Sequence, residues 1–255
     1  PLLDLHEGAR IASGLYMALA ILLATLAGAK LFGPRFGRVT ALIFIGSFGL
    51  LITAHMLSAE TAVVAATALV IYGLTWIPHQ SIAAGVLIGC GIGIAFLARG
   101  SMAGVLALCM ALGPLIFRHW RTRTYLAALA IALLTALPWI LWWPLTLYGK
   151  SPQIAMEWLW LHDLSDFYNV FSGESLKRFS YYIGLLPWHA WPALPLVLVA
   201  FWYGRRQLLL DAKIQLLLGA LLGAFVVMCL CGDRREVNAL PLLLPLSLIC
   251  ASRID

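Results

Sequence analysis

The chain has 255 residues, of which 62% are hydrophobic and only 11% charged, and its formal net charge is +6. An ordinary soluble domain carries about a quarter charged residues, so this composition excludes one. It divides the length instead into apolar spans of about 20 residues. No basic cluster with interleaved aromatics is present, so the positive balance does not point to nucleic acid. The expected fold class is all-α: a single polytopic transmembrane helix bundle over 1–255, with about nine spans and an outer amphipathic juxtamembrane helix.

In chain order, the first span covers about Ile11 to Phe32 and stops at Gly33-Pro34, a strong helix breaker. The second runs from Val39 to Leu57 and the third from Thr61 to Ile77, ahead of Pro78. The fourth, Ser81 to Ala98, places Gly85, Gly89 and Gly93 on one face, where a neighbouring helix can approach closely. The fifth is Met102 to Phe117, and the sixth is Tyr125 to Tyr148, with Pro138 and Pro144 predicted to kink it. Beyond a central polar stretch come Tyr181 to Tyr203, broken by Pro187, Pro192 and Pro195, then Ile214 to Gly232, then Asn238 to Ser252. The five cysteines, Cys90, Cys109, Cys229, Cys231 and Cys250, all lie in apolar segments, which speaks against a disulfide framework or a zinc site.

The central stretch, 149–180, is the longest polar segment. Ser151-Pro152 reads as a helix N-cap followed by proline at the first helical position. Ile154, Trp158, Leu161, Leu164, Phe167 and Phe171 then recur at spacings of three or four, so they share a helical face. Glu157, Asp163, Asp166 and Asn169 lie mainly off it. With Trp158, Trp160 and Tyr168 suited to the headgroup level, the pattern predicts an amphipathic helix lying on a membrane surface.

Positive charge sets the orientation. Alternate connections hold ten basic residues (Lys30, Arg35, Arg38, Arg118, Arg121, Arg123, Arg205, Arg206, Lys213, Arg253) against two acids, Asp211 and Asp255. The other connections hold seven basic residues against nine acids. The basic side is read as cytoplasmic, which puts the central stretch outside, in the periplasm of a Gram-negative source. Pro1 then also lies outside, so at least one earlier span is expected. Glu60 and Arg99 stand nearly alone between apolar spans, where a charge is costly and is usually kept for pairing or function. A snorkelling arginine and an acid favoured by a helix N-terminus are the plain alternatives.

Several stretches, taken in order, resemble the GT-C membrane glycosyltransferases. The likeness is nearest to the branch of the lipid A aminoarabinose transferase and the dolichyl-phosphate-mannose-protein mannosyltransferase-like proteins. They are Leu31-Phe32-Gly33 with Arg35, Ala54 to Glu60, Phe96-Leu97-Ala98-Arg99-Gly100, Ala136-Leu137-Pro138-Trp139, Leu186-Pro187-Trp188, and Arg234-Arg235 ahead of Leu240-Pro241. The resemblance implies transfer of a sugar from a polyprenyl-phosphate carrier to a lipid or protein acceptor on the outer face of the bilayer. Arg99, with Arg234 and Arg235, would hold the carrier phosphate, since negative charge grows on that leaving group and guanidinium grips two of its oxygens. Arg99 stands where the family has lysine. Glu60 would be a supporting acid, the main base being expected upstream of Pro1. His55, His162, Asp163 and Asp166 would lie on the acceptor side of the outer loop, and Glu7 with Arg10 would form a structural pair along a helix. His162-Asp163 and Asp166-Phe167 depart from the family's Glu-His and Arg-Phe, so a metal-ligand histidine is replaced by Asp163 and no cofactor is expected, although both residues are chemically able to bind a divalent metal.

Two other classes compete. A transporter or flippase suits proline- and glycine-broken helices, but it calls for ionisable groups at mid-membrane and an internal repeat, and the sequence shows neither. A non-catalytic membrane scaffold would not depend on Glu60 or Arg99.

Overall fold

The computed structural model describes residues 5–53, 58–167, 170, 174–231 and 234–253. All regular structure among them is helical. Helix α1 (Leu5–Phe32) ends at Gly33, whose φ of 112° is open to glycine, and Pro34 then opens α2 (Pro34–Ile45) at its first position. The predicted break falls where expected. The two helices pack back to back: a Cβ on Gly37 would lie 2.9 Å from that of Ala29.

The second expected span is not one helix. It stops at Gly46, and α3 (Phe48–Thr53) starts afresh. The cause is tertiary. The Phe48 N–H, which a continuous helix would use internally, donates to the carbonyl of Trp191 at 3.0 Å. His189 packs against the same short helix, its ring filling the space where Gly49 has no Cβ.

Helix α4 (Glu60–Leu74) and the last helix, α12 (Leu240–Ala251), form the centre and are buried almost all round. Around them stand α1, α2, α5 (Ser81–Arg99), α6 (Ser101–Leu112) and α11 (Ala212–Leu230), and α7 (Arg123–Lys150) packs on α5. The glycine face of α5 does pack a neighbour, and the neighbour is α7. A Cβ on Gly85 would lie 2.7 Å from the Ala128 carbonyl, and one on Gly89 would lie 2.7 Å from Thr135 Cβ. Gly91 serves the opposite face, where a Cβ would come 2.8 Å from the Ala66 carbonyl of α4. So α5 is gripped from two sides. Helices α6 and α11 meet through a second glycine seam of Gly113, Gly219 and Gly223.

Among the described residues, four helices are long and apolar enough to cross a membrane: α1, α5, α7 and α11. A fifth follows if α9 (Glu174–His189) and α10 (Ala193–Leu210) are taken as one span, but they meet at 97°. The segments 60–74, 101–116 and 236–251 are apolar but shorter. The expectation of nine spans is therefore not met by length. The short helices are stabilised by their neighbours rather than by spanning alone, so apolar runs divide differently from the sequence count. Large side chains on α1 and α7, such as Leu15, Leu134 and Trp142, stay exposed, as a lipid-facing rim requires.

The bundle has two chemically distinct ends. At one, Lys30 Nζ lies 3.5 Å from the centre of the Trp76 ring, and Lys213 Nζ lies 5.7 Å from that of Phe32. Lys30 and Lys213 are residues the charge pattern placed on the basic side. The opposite end carries Glu60, Arg99 and the central segment.

Candidate functional site

Arg99 is the last residue of α5, and Glu60 is the first of α4. The helices lie side by side and antiparallel, so the acid stands at a helix N-terminus, which the dipole favours, next to the cation at a helix C-terminus. Arg99 Nη1 is 3.4 Å from Glu60 Oε1, and the side chains are 19% and 15% exposed. The same Nη1 donates to Asn238 Oδ1. Asn238 sits in the 3-10 turn that leads into α12, is buried, and lies 3.5 Å through Nδ2 from the Tyr182 hydroxyl on α9. One nitrogen thus carries both contacts. The rest of the guanidinium has no hydrogen bond or ion pair from the described residues.

Arg99 borders two cavities. On one side, Glu60, Val63, Met102, Val237 and Asn238 close a space too narrow to hold more than solvent. On the other, a cleft of about 400 Å³ is lined by Phe96 to Gly100, Trp143, Trp158 and Asp163. Phe96 also borders an apolar groove of about 650 Å³ between α5, α6 and α7, walled by Ile92, Leu108, Leu133, Leu137 and Ile140 among others. The geometry is a cation in a cleft that adjoins, at Phe96, a groove lined by hydrocarbon side chains. A molecule with an anionic head and an apolar tail matches it in both parts.

The central segment forms the far wall. Ser151 caps α8 (Pro152–Glu157), its hydroxyl accepting from the Ile154 N–H at 3.4 Å. The chain then widens into a π-helical turn, Trp158–Asp163, with the Leu164 N–H reaching the Leu159 carbonyl at 2.9 Å. The extra residue per turn changes which side chains face inward. Ile154 and Leu161 stay exposed, whereas Asp163 is 7% exposed. Both its oxygens are taken: Oδ1 accepts from the Ser101 N–H at 2.7 Å, and Oδ2 accepts from the Ser101 hydroxyl. Asp163, expected on the acceptor side, is therefore bonded to the turn that follows Arg99.

The remaining expected residues fall variously. Arg234 and Arg235 are exposed in the segment before Asn238, and neither lines the two cavities beside Arg99. Asp166 is half-buried in a following 3-10 turn. His162 belongs to the π-helical turn, and His55 lies outside the described residues. Glu7 and Arg10 are exposed at the start of α1 with no ion pair between them. The expected structural pair does not form, and at an exposed site such a pair adds only about 0.3–0.5 kcal/mol. Among the described residues, no three His, Cys, Asp or Glu side chains gather as metal ligands.

Sequence reasoning gave no site role to Asn238, Tyr182 or Ser101. It counted Arg178 only as outer charge, yet Arg178 is buried and its Nη1 donates to the Leu230 carbonyl at 2.8 Å, tying α9 to the end of α11.

Comparison with known proteins finds relatives in both sequence and fold. The sequence profile described as dolichyl-phosphate-mannose-protein mannosyltransferase matches residues 4–142. The undecaprenyl phosphate-alpha-4-amino-4-deoxy-L-arabinose arabinosyl transferases of Pseudomonas aeruginosa strains UCBPP-PA14 and PAO1 are each 29% identical, over 95% of this chain and 45% of their own length. The crystal structure of ArnT from Cupriavidus metallidurans bound to undecaprenyl phosphate aligns with a TM-score of 0.73 at 18% identity, covering 97% of this chain and 46% of that one. Its apo state aligns at 0.64 and 19%, over 96% and 45%. At those identities the structures show a shared fold. The chain spans a little under half the length of the relatives it matches.

Proposed function

The chain belongs to the dolichyl-phosphate-mannose-protein mannosyltransferase family, and on that premise we propose that this integral membrane protein transfers a sugar from a polyprenyl-phosphate carrier to a lipid or protein acceptor. The observation that carries the reading is the arrangement at Arg99, where a guanidinium bound through one nitrogen lines a cleft that shares Phe96 with a neighbouring apolar groove. In the proposed reaction, an acceptor oxygen attacks the anomeric carbon of the sugar. The bond from that carbon to the carrier phosphate breaks, and the polyprenyl phosphate leaves with the electron pair. The acceptor proton passes to a base. Arg99 stabilises the charge growing on the departing phosphate, and the groove between α5, α6 and α7 receives the first isoprene units. Glu60 acts as a supporting acid: paired to Arg99, it orients the cation rather than taking the acceptor proton. Arg234 and Arg235 are proposed to make a second, outer contact with the carrier. His55, His162 and Asp166 are proposed to face the acceptor.

The charge pattern supports placing this end of the bundle in the periplasm, with the chain in a bacterial inner membrane. A relative crystallised with undecaprenyl phosphate supports a carrier of that class. The test is Arg99→Ala and Arg99→Lys in the full chain, reconstituted in nanodiscs, with transfer from a labelled polyprenyl-phosphate sugar and binding of undecaprenyl phosphate both measured. A charge-assisted contact of about 1.5–3 kcal/mol predicts a loss of at least about tenfold in carrier affinity for the alanine variant and partial retention for lysine. Wild-type transfer by Arg99→Ala would sink the proposal.

A further inference from the structure

Asp163 and Ser101 are 62 residues apart in sequence and meet at the corner where α5 gives way to α6. The corner offers two donors to whatever docks there. The Ser101 N–H belongs to the first residue of α6, so no carbonyl of its own helix can accept from it. The Ser101 hydroxyl lies beside it, and the Asp163 carboxylate takes both. Gly100 makes the seat. It holds φ at 73°, a conformation glycine adopts without cost, and a Cβ at this position would collide with Asp163 Oδ1. The carboxylate therefore occupies the place where any other residue would put its side chain. Asp163 is also the residue that the π-helical turn brings inward, off the exposed side of Ile154 and Leu161.

The consequence concerns the cleft. One of its walls is Phe96 to Gly100, which includes Arg99, and the other includes Trp158 of the central segment. Asp163 is the described hydrogen-bonded link between the two. We propose that Asp163 is a positioning residue that latches the segment 152–167 onto the α5–α6 corner and so sets the distance between Arg99 and Trp158 across the cleft. The effect on the carrier rests on the phosphate role proposed above for Arg99, whereas the latch itself does not.

The experiment uses the full chain in nanodiscs with Asp163→Ala, Asp163→Asn, Ser101→Ala and the double variant of Asp163→Ala with Ser101→Ala. Two quantities are read. One is the rate of chymotrypsin cleavage within 152–167, and the other is the affinity for undecaprenyl phosphate by native mass spectrometry. Asp163→Ala is expected to speed cleavage and weaken the carrier, each by about tenfold. Asp163→Asn should recover most of both losses, because an amide can still accept the Ser101 N–H and donate to the hydroxyl. The double variant should be no worse than Asp163→Ala, since both changes remove one contact. Unchanged cleavage in Asp163→Ala overturns the latch. So do additive losses in the double variant, or an asparagine variant as weak as alanine. If Asp163→Ala does not fold, Ser101→Ala carries the same prediction at smaller size, with wild-type cleavage and affinity counting against it. Arg99→Ala separates the two proposals. If it binds undecaprenyl phosphate normally, the phosphate reading fails and the latch is decided by cleavage alone.

Discussion

Asn238 shows how little of the site is written in residue type. It is one amide at the head of an apolar helix, yet its oxygen holds Arg99 and its nitrogen reaches Tyr182. Arg99 and Asn238 are 139 residues apart, and no periodicity or motif couples positions so distant. Glu60 and Arg99 were legible because isolated charges between apolar spans are costly, whereas a buried asparagine costs nothing visible in composition. The pairing also separates two substitutions at this position. Asn238→Asp puts a second carboxylate on the same guanidinium, in competition with a bound phosphate. Undecaprenyl phosphate affinity should fall about tenfold, equivalent to about 1.4 kcal/mol, while the helical circular dichroism stays unchanged. Asn238→Leu removes both bonds instead. It should lower the melting temperature in detergent, by leaving the Arg99–Glu60 pair and the Tyr182 hydroxyl with fewer partners, at about 1–3 kcal/mol.

Among the elements, the glycine face of α5 and the Ser151-Pro152 start of the central segment were both readable, because each is a local rule of spacing or capping. The partner of the glycine face was not, since several apolar helices offered themselves equally. Packing against α7 at van der Waals limits now gives the face a measurable sensitivity. Gly89→Leu drives a side chain into Ala132 and Thr135 and should destabilise the bundle by about 1–3 kcal/mol or more, seen as earlier thermal aggregation. Gly14, with open space around its Cβ position, is the control that should tolerate alanine. The central segment was expected as one amphipathic helix and is instead an α-helical turn, a π-helical turn and a 3-10 turn. Its exposed Ile154, Trp160 and Leu161 still suit a membrane surface. Trp158→Ala combined with Trp160→Ala should therefore raise cleavage within 152–167 by a protease that cuts at acidic residues. Unchanged values would detach this segment from the bilayer. The interruption of the second span at Gly46 was illegible for another reason: the hydrogen bond that diverts Phe48 comes from Trp191, far along the chain.

For the whole molecule, the division into a basic end and an acidic end follows from counting charges between spans, and Lys30 and Lys213 gather at one end as that count expects, beside Trp76 and Phe32. The number of crossings did not follow, because among the described residues four helices, or five with the bent pair, suffice by length and the others depend on their neighbours. Sidedness is open to direct labelling. With the native cysteines replaced by alanine, Lys150→Cys should react with a membrane-impermeant maleimide from the periplasm, and Arg121→Cys should react only after the membrane is opened. The reverse pattern would invert the orientation. Helix α5 adds a last consequence. Its 19 residues rise about 28 Å, close to the roughly 30 Å of a bilayer's hydrocarbon layer. Held by glycine contacts on two faces, it cannot tilt alone to absorb a mismatch. With Ser81 at one edge of that layer, the Arg99 backbone therefore lies near the other edge, at a depth set by helix length, and its long side chain reaches toward the lipid phosphates. The helix works as a ruler for membrane thickness. Carrier binding should peak at one acyl-chain length and decline in both thinner and thicker bilayers, as the guanidinium is lifted above the phosphate plane or drawn beneath it.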